Sequence, residues 1–136
     1  MMISSKGRYA LRVMIDLAEH PDEGYIPLQT IAARQGISEK YLESILAVLS
    51  KAKLLDAVRG KGGGYRLTRP AKDYTAFEIL SLTEGTLAPV TCLESGQQCE
   101  NAENCRTLPL WQGLDRTIAA YLGSYTLEDL ARMEKP

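Results

Sequence analysis

A single histidine, His20, occurs in the 136 residues, and the three cysteines, Cys92, Cys99 and Cys105, are confined to one stretch of the second half. One histidine leaves no Ser/His/Asp set for nucleophilic hydrolysis. No pair of carboxylates stands in an apolar setting suited to general acid–base chemistry. An odd cysteine count, with none elsewhere, argues against a disulfide framework. No apolar run approaches the ~18 residues of a membrane span. The first twelve positions carry Lys6, Arg8 and Arg12 and lack the apolar core of a secretory signal. What remains is ordinary globular composition, 45% hydrophobic and 24% charged. The expectation is a non-enzymatic, cytoplasmic protein without membrane contact, built as one compact domain with room for a dimerisation element.

Net charge is also nearly absent, at −1, but the halves differ. Residues 1–70 carry a net +4 and residues 71–136 a net −5. Such a split suggests that the first half meets a polyanion.

Residues 8–19 place Leu11, Met14, Ile15 and Ala18 at helical spacing. Pro21, Gly24 and Pro27 then punctuate a turn. Residues 28–35 form a short helix stopped by Gly36. Ser38 caps the next helix, 38–51, whose buried stripe is Leu42, Ile45, Leu46 and Leu49. Two helices joined by a tight glycine turn make a helix-turn-helix. Residues 54–69 then alternate as two short strands around the basic, glycine-rich turn 59–64, the layout of a wing. Thr75 and Glu78 are spaced as a capping box for a helix that Gly85 stops. Residues 86–107 are irregular. A longer helix over 108–122 has a broad apolar face of Leu110, Trp111, Leu114, Ile118 and Leu122, suited to a partner helix. Thr126 and Asp129 open a last short helix. The fold class expected is mainly α with a small β wing: a winged helix-turn-helix plus a long C-terminal dimerisation helix. Its divisions are 1–84 for DNA binding, 85–107 for a cysteine-containing sensor loop, and 108–136 for the dimerisation and C-terminal helices.

Three parts point to double-stranded DNA. The first turns of helix 38–51 expose Ser38, Lys40, Tyr41 and Glu43, where a recognition helix meets the major groove. Lysine can reach guanine acceptors or phosphate, and glutamate can accept from cytosine N4. The wing offers Arg59, Lys61 and Arg66, with glycines that let backbone approach phosphate. Lys6 and Arg8 precede the first helix and can contact phosphates. A solvated helix face or a flexible hairpin would supply any one part; the order of all three is what carries the reading. A nucleotide-binding phosphate loop is excluded, because Gly64-Tyr65 enters a strand where a Gly-Lys-Ser/Thr ending would open a helix.

The cysteines are spaced Cys92-x6-Cys99-x5-Cys105, as for a loop wrapped around a metal centre and unlike paired zinc knuckles. Soft thiolates select iron–sulfur clusters, zinc or copper(I). Incidental buried thiols and redox sensing through a disulfide or sulfenate are the other readings.

The segments SSKGRYAL at 4–11, SEKYLE at 38–43, RGKGGGYRL at 59–67 and ILSLTEG at 79–85, with the cysteine segment, resemble the Rrf-two family of winged-helix regulators, especially its iron–sulfur cluster regulators. The resemblance implies a homodimer paired through the helix at 108–122 that reads palindromic operator DNA. It implies DNA contacts at Ser38, Lys40, Tyr41 and Glu43 and at wing residues Arg59, Gly60 and Lys61, with Glu43 helping to discriminate operator types. It implies an iron–sulfur cluster, 2Fe–2S or 4Fe–4S, on Cys92, Cys99 and Cys105, controlling cluster-assembly or sulfur-metabolism genes, as a repressor among other modes. The family's histidine ligand, three residues past the last cysteine, is Leu108 here. A nitric-oxide-sensing branch takes a carboxylate from the partner's first helix, where this chain has Arg8. The fourth ligand therefore stays open, with Glu103, Thr107, a partner residue, a small thiol or solvent as candidates. The ending YTLEDL at 125–130 resembles the family's cysteine-metabolism repressors, which sense through a cysteine synthase partner or thiol oxidation without a cluster.

Overall fold

A computed structural model describes residues 2–94 and 99–136. Residues 95–98, inside the expected sensor loop, lie outside the described residues, as does Met1. Among the described residues six α-helices and one hairpin follow one another: α1 Ser5–Glu19, α2 Leu28–Gln35, α3 Glu39–Lys51, β1 Leu55–Val58, β2 Gly64–Leu67, α4 Ala76–Glu84, α5 Leu108–Gly123 and α6 Leu127–Arg132.

The local reasons are visible in the caps. The Ser4 hydroxyl accepts from Gly7 N–H and opens α1, and the Ser38 hydroxyl accepts from Tyr41 N–H and opens α3. Gly36, at φ 65°, ends α2 in the left-handed conformation that glycine adopts without strain. Thr75 accepts from Glu78 N–H, yet the expected capping box is only half made. The Glu78 carboxylate reaches Arg69 instead, with Arg69 Nη2 at 2.6 Å, because a guanidinium is a stronger partner than the cap N–H. The reciprocal box forms at α6, between Thr126 and Asp129.

Val13, Met14 and Leu17 of α1, Ile31 of α2, Leu42, Ile45, Leu46 and Leu49 of α3, Ile79 of α4 and Leu127 of α6 bury into one core. Each such side chain contributes roughly 1.5–3 kcal/mol of transfer free energy. β1 and β2 pair antiparallel, with Leu55 opposite Leu67 and Val58 opposite Gly64. Ile26 adds a third edge: its N–H and C=O both bond Tyr65 at 2.9 Å. Buried Tyr74 fixes the foot of this hairpin. Its hydroxyl donates to Leu54 C=O at 2.8 Å and accepts the N–H groups of Thr68 and Arg69 at 2.9 and 3.1 Å.

α5 packs along α4, but none of its residues is buried. Leu110, Leu114 and Tyr121 are 62%, 41% and 61% exposed. The chain then turns back: Leu127 N–H bonds Tyr74 C=O, and Ala76 N–H bonds Tyr125 C=O, both at 2.9 Å, which docks α6 on the first unit against α1.

Candidate functional site

The four positions singled out at the start of α3 divide by what holds them. The Ser38 hydroxyl is engaged by the cap at 3.1 Å. Tyr41 is half-buried, and its ring meets Tyr9 edge-on with centroids 5.8 Å apart. Lys40 and Glu43 are exposed, and neither joins an ion pair among the described residues. The Tyr9–Tyr41 contact sets the start of α1 beside the start of α3. Lys6, half-buried, and Arg8, exposed, flank that junction, with Arg8 Nη2 donating to Ser5 Oγ at 3.1 Å.

At the wing, Arg59, Gly60 and Lys61 are all exposed at the hairpin tip. Gly60 and Gly62 take φ of 90° and 78°, so the turn needs glycine for its backbone. Arg66 is not a free cation. Its guanidinium stacks over Tyr25 at 4.3 Å and pairs with Asp56 at 3.4 Å, while the Tyr25 hydroxyl donates to Asp56 at 2.7 Å. Asp56 as an acceptor holds the Tyr25 proton and raises that hydroxyl's pKa above its ordinary value. Arg66 thus braces the hairpin, and Arg59 and Lys61 remain the charges available to a phosphate.

Cys92 sits in the single turn Thr91–Leu93, and Cys105 follows the turn Ala102–Asn104. Cys92, Cys99, Glu103, Leu108 and Gln112 line one open cleft of about 400 Å³ at the start of α5. Cys105 Sγ lies 3.4 Å from the Thr107 hydroxyl. That hydroxyl, helped by the backbone N–H groups of Thr107 and Leu108, lowers the Cys105 thiol pKa and favours thiolate. The donor chemistry suits a soft metal: three thiols, two of them lining one cleft together with the carboxylates of Glu100 and Glu103. The assembled geometry is looser, since among the described residues no three His, Cys, Asp or Glu side chains are grouped closely enough to hold an ion. Leu108 lines the cleft and offers no ligand; Glu100 and Glu103 line it and can. His20 is elsewhere, at the end of α1, with Nδ1 2.7 Å from Asp16 C=O.

Sequence reasoning missed Asp16, Gln35 and Glu84. Asp16 follows Val13 by three positions and so falls on the buried face of α1, a signal available from periodicity. Glu84 gave no such signal, because its partner Ser4 is eighty positions away.

A family model described as "Rrf2: Iron-dependent Transcriptional regulator" matches residues 3–133. The chain belongs to the Rrf2 family. Within it, the HTH-type transcriptional regulator IscR of Xenorhabdus nematophila is 39% identical over 135 residues, covering 99% of this chain and 82% of the relative. The structure of CymR, the global cysteine regulator of B. subtilis, superimposes with a TM-score of 0.81 at 38% identity, covering 99% of each chain. That of T. potens IscR gives 0.75 at 35% identity, covering 100% of this chain and 94% of the other. The protein is therefore a transcriptional regulator of the Rrf2 family with a winged-helix DNA-binding fold, mainly α with a two-stranded wing.

Proposed function

We propose that this Rrf2 protein binds palindromic operator DNA as a homodimer and tunes that binding through an iron–sulfur cluster held by Cys92, Cys99 and Cys105. The observation that carries the reading is the open cleft at the start of α5 that Cys92, Cys99 and Glu103 line. Lys40 and Glu43 are assigned to base edges, with Ser38 and Tyr41 framing them at the helix start. Lys6, Arg8, Arg59, Gly60 and Lys61 are assigned to the phosphate backbone. The exposed apolar face of α5, Leu110, Leu114 and Tyr121, is assigned to the partner's α5. Cys92, Cys99 and Cys105 would hold the cluster, which would supply a soft-metal tie between the turn at Cys92 and the residues before α5. The chain's own residues do the rest: α5 packs on α4, α4 ends at Glu84, and Glu84 holds Ser4 at the head of α1. Glu103 is the candidate fourth ligand.

A second reading keeps DNA binding and replaces the cluster with thiol chemistry or a cysteine synthase partner. Leu108 in the cleft and the thiolate-favouring contact of Cys105 with Thr107 support it. Anaerobic purification with iron and sulfide analysis, followed by footprinting on the DNA upstream of the protein's own gene, separates the two. Bound iron and sulfide with a protected palindrome support the first. A protected palindrome with neither, and cysteine synthase captured by the protein, support the second. No protection by either state rejects both.

A further inference from the structure

Among the described residues Asp16 is the one charged side chain in the core, 3% exposed on α1. A buried carboxylate persists only when it is paired and hydrogen-bonded. Arg34 Nη2 lies 3.1 Å from one of its oxygens, and Gln35 Nε2 donates to the other at 2.9 Å. Arg34 and Gln35 are the last two residues of α2, directly before the Gly36 turn that launches α3. Gln35 is gripped from its other side as well. Arg12 donates through Nε to the Gln35 side-chain oxygen at 3.1 Å and through Nη2 to its backbone oxygen at 3.0 Å. Arg12 in turn lies over the Tyr9 ring at 4.8 Å, and Tyr9 meets Tyr41 in the first turn of α3.

One polar chain thus runs from Asp16 through Gln35 and Arg12 to Tyr9. It ties α1 to the exit of α2 and to the entry of α3. An apolar residue of similar size would fill the same space, often with no loss of stability. What the carboxylate adds is direction. One oxygen accepts a hydrogen bond from Gln35 and the other is ion-paired with Arg34, with His20 Nδ1 of its own helix 3.7 Å from that oxygen, so a rotation of α2 on α1 strips a buried anion of both partners that α2 supplies. A short glycine turn passes any such rotation to Lys40 and Glu43.

We propose that Asp16 is a positioning residue for operator recognition, setting the angle of α3 through Gln35 and Arg34 without itself touching DNA. This rests on α3 being the recognition helix.

The test uses the full chain and a duplex enriched from a randomised pool on the wild-type protein. Affinity for that duplex and for a scrambled duplex of equal composition is measured per active molecule, across salt. Asp16→Asn keeps the volume but removes the charge that fixes Arg34 and Gln35. The ratio of enriched to scrambled affinity is expected to fall about tenfold, the scale of one well-made base contact. Scrambled-duplex affinity and its salt slope, set by phosphate contacts elsewhere, stay at the wild-type values. Gln35→Ala provides a second variant if Asp16→Asn does not fold, with the same direction expected. An unchanged ratio in the folded variants, including equal loss on both duplexes, overturns the proposal. Lys40→Ala and Glu43→Ala run alongside. If neither moves the ratio, α3 is not the reader, and the reading and the proposal fall together. If either moves it while Asp16→Asn and Gln35→Ala do not, only the proposal falls.

Discussion

The Glu84 carboxylate closes on Ser4, with Oε1 accepting the Ser4 hydroxyl at 2.6 Å and the Ser4 backbone N–H at 3.1 Å. The same Ser4 hydroxyl caps α1 through Gly7 N–H. A Cβ added at Gly7 would stand 2.2 Å from that carboxylate oxygen and 3.2 Å from Leu80. Gly7 is therefore glycine because the end of α4 lies against it.

Gly7→Ala is expected to displace Glu84 and destabilise the fold by about 1–2 kcal/mol, the scale of a charge-assisted hydrogen bond. Glu84→Ala is expected to cost a similar amount. The double variant should be little worse than either single one, because both remove the same contact. Urea unfolding of the three variants checks this; full additivity contradicts it.

Arg59, Lys61 and Arg66 are all wing cations by sequence, but among the described residues Arg66 is ion-paired while Arg59 and Lys61 join no ion pair. Arg59→Ala and Lys61→Ala are each expected to lower the salt slope of DNA binding by about 1. Arg66→Ala should leave that slope unchanged and lower stability instead, since it unbraces Tyr25 and Asp56. Binding titrations across salt separate the three.

Two wing glycines should behave differently. At Gly64, φ 149°, a Cβ would meet Ile26 C=O at 2.3 Å, and backbone cannot step aside as a side chain does. At Gly62, φ 78°, a Cβ has open space. Gly62→Ala should cost about 1 kcal/mol of backbone strain. Gly64→Ala should cost more than that and open the Ile26–Tyr65 bridge, read by thermal unfolding and amide exchange at Tyr65.

With Cys92 and Cys99 replaced by serine, the alkylation rate of Cys105 reports its thiolate fraction. The Thr107 contact lowers its pKa, so the rate should rise with pH earlier than for an ordinary free thiol. Thr107→Val should move that rise to higher pH. Coincident profiles contradict the assigned cause.

Much of this architecture was legible in sequence because its determinants are local. Ser38, Gly36 and the apolar stripe of 42–49 bound α2 and α3, and alternation around 59–64 gives the hairpin. The partnerships that decide which charges are free were not legible. Arg66 on Asp56, Glu78 on Arg69 and Glu84 on Ser4 all join residues that only the folded chain brings together. The return of α6 to Tyr74 belongs to the same class. The clustering of thiols was plain, whereas the placing of Cys92, Cys99 and Glu103 along one open cleft required the turn before α5.

In the proposed regulator the state of Cys92, Cys99 and Cys105 sets operator affinity. The direct measurement is the dissociation constant for the footprinted operator, taken on one anaerobic preparation before and after cluster removal. The two values should differ about tenfold or more, a coupling of ~1.4 kcal/mol. The Cys92→Ser, Cys99→Ser, Cys105→Ser variant should stay at the cluster-free value. Equal affinities in the two states, or a reconstituted protein that holds neither iron nor sulfide, would contradict the account.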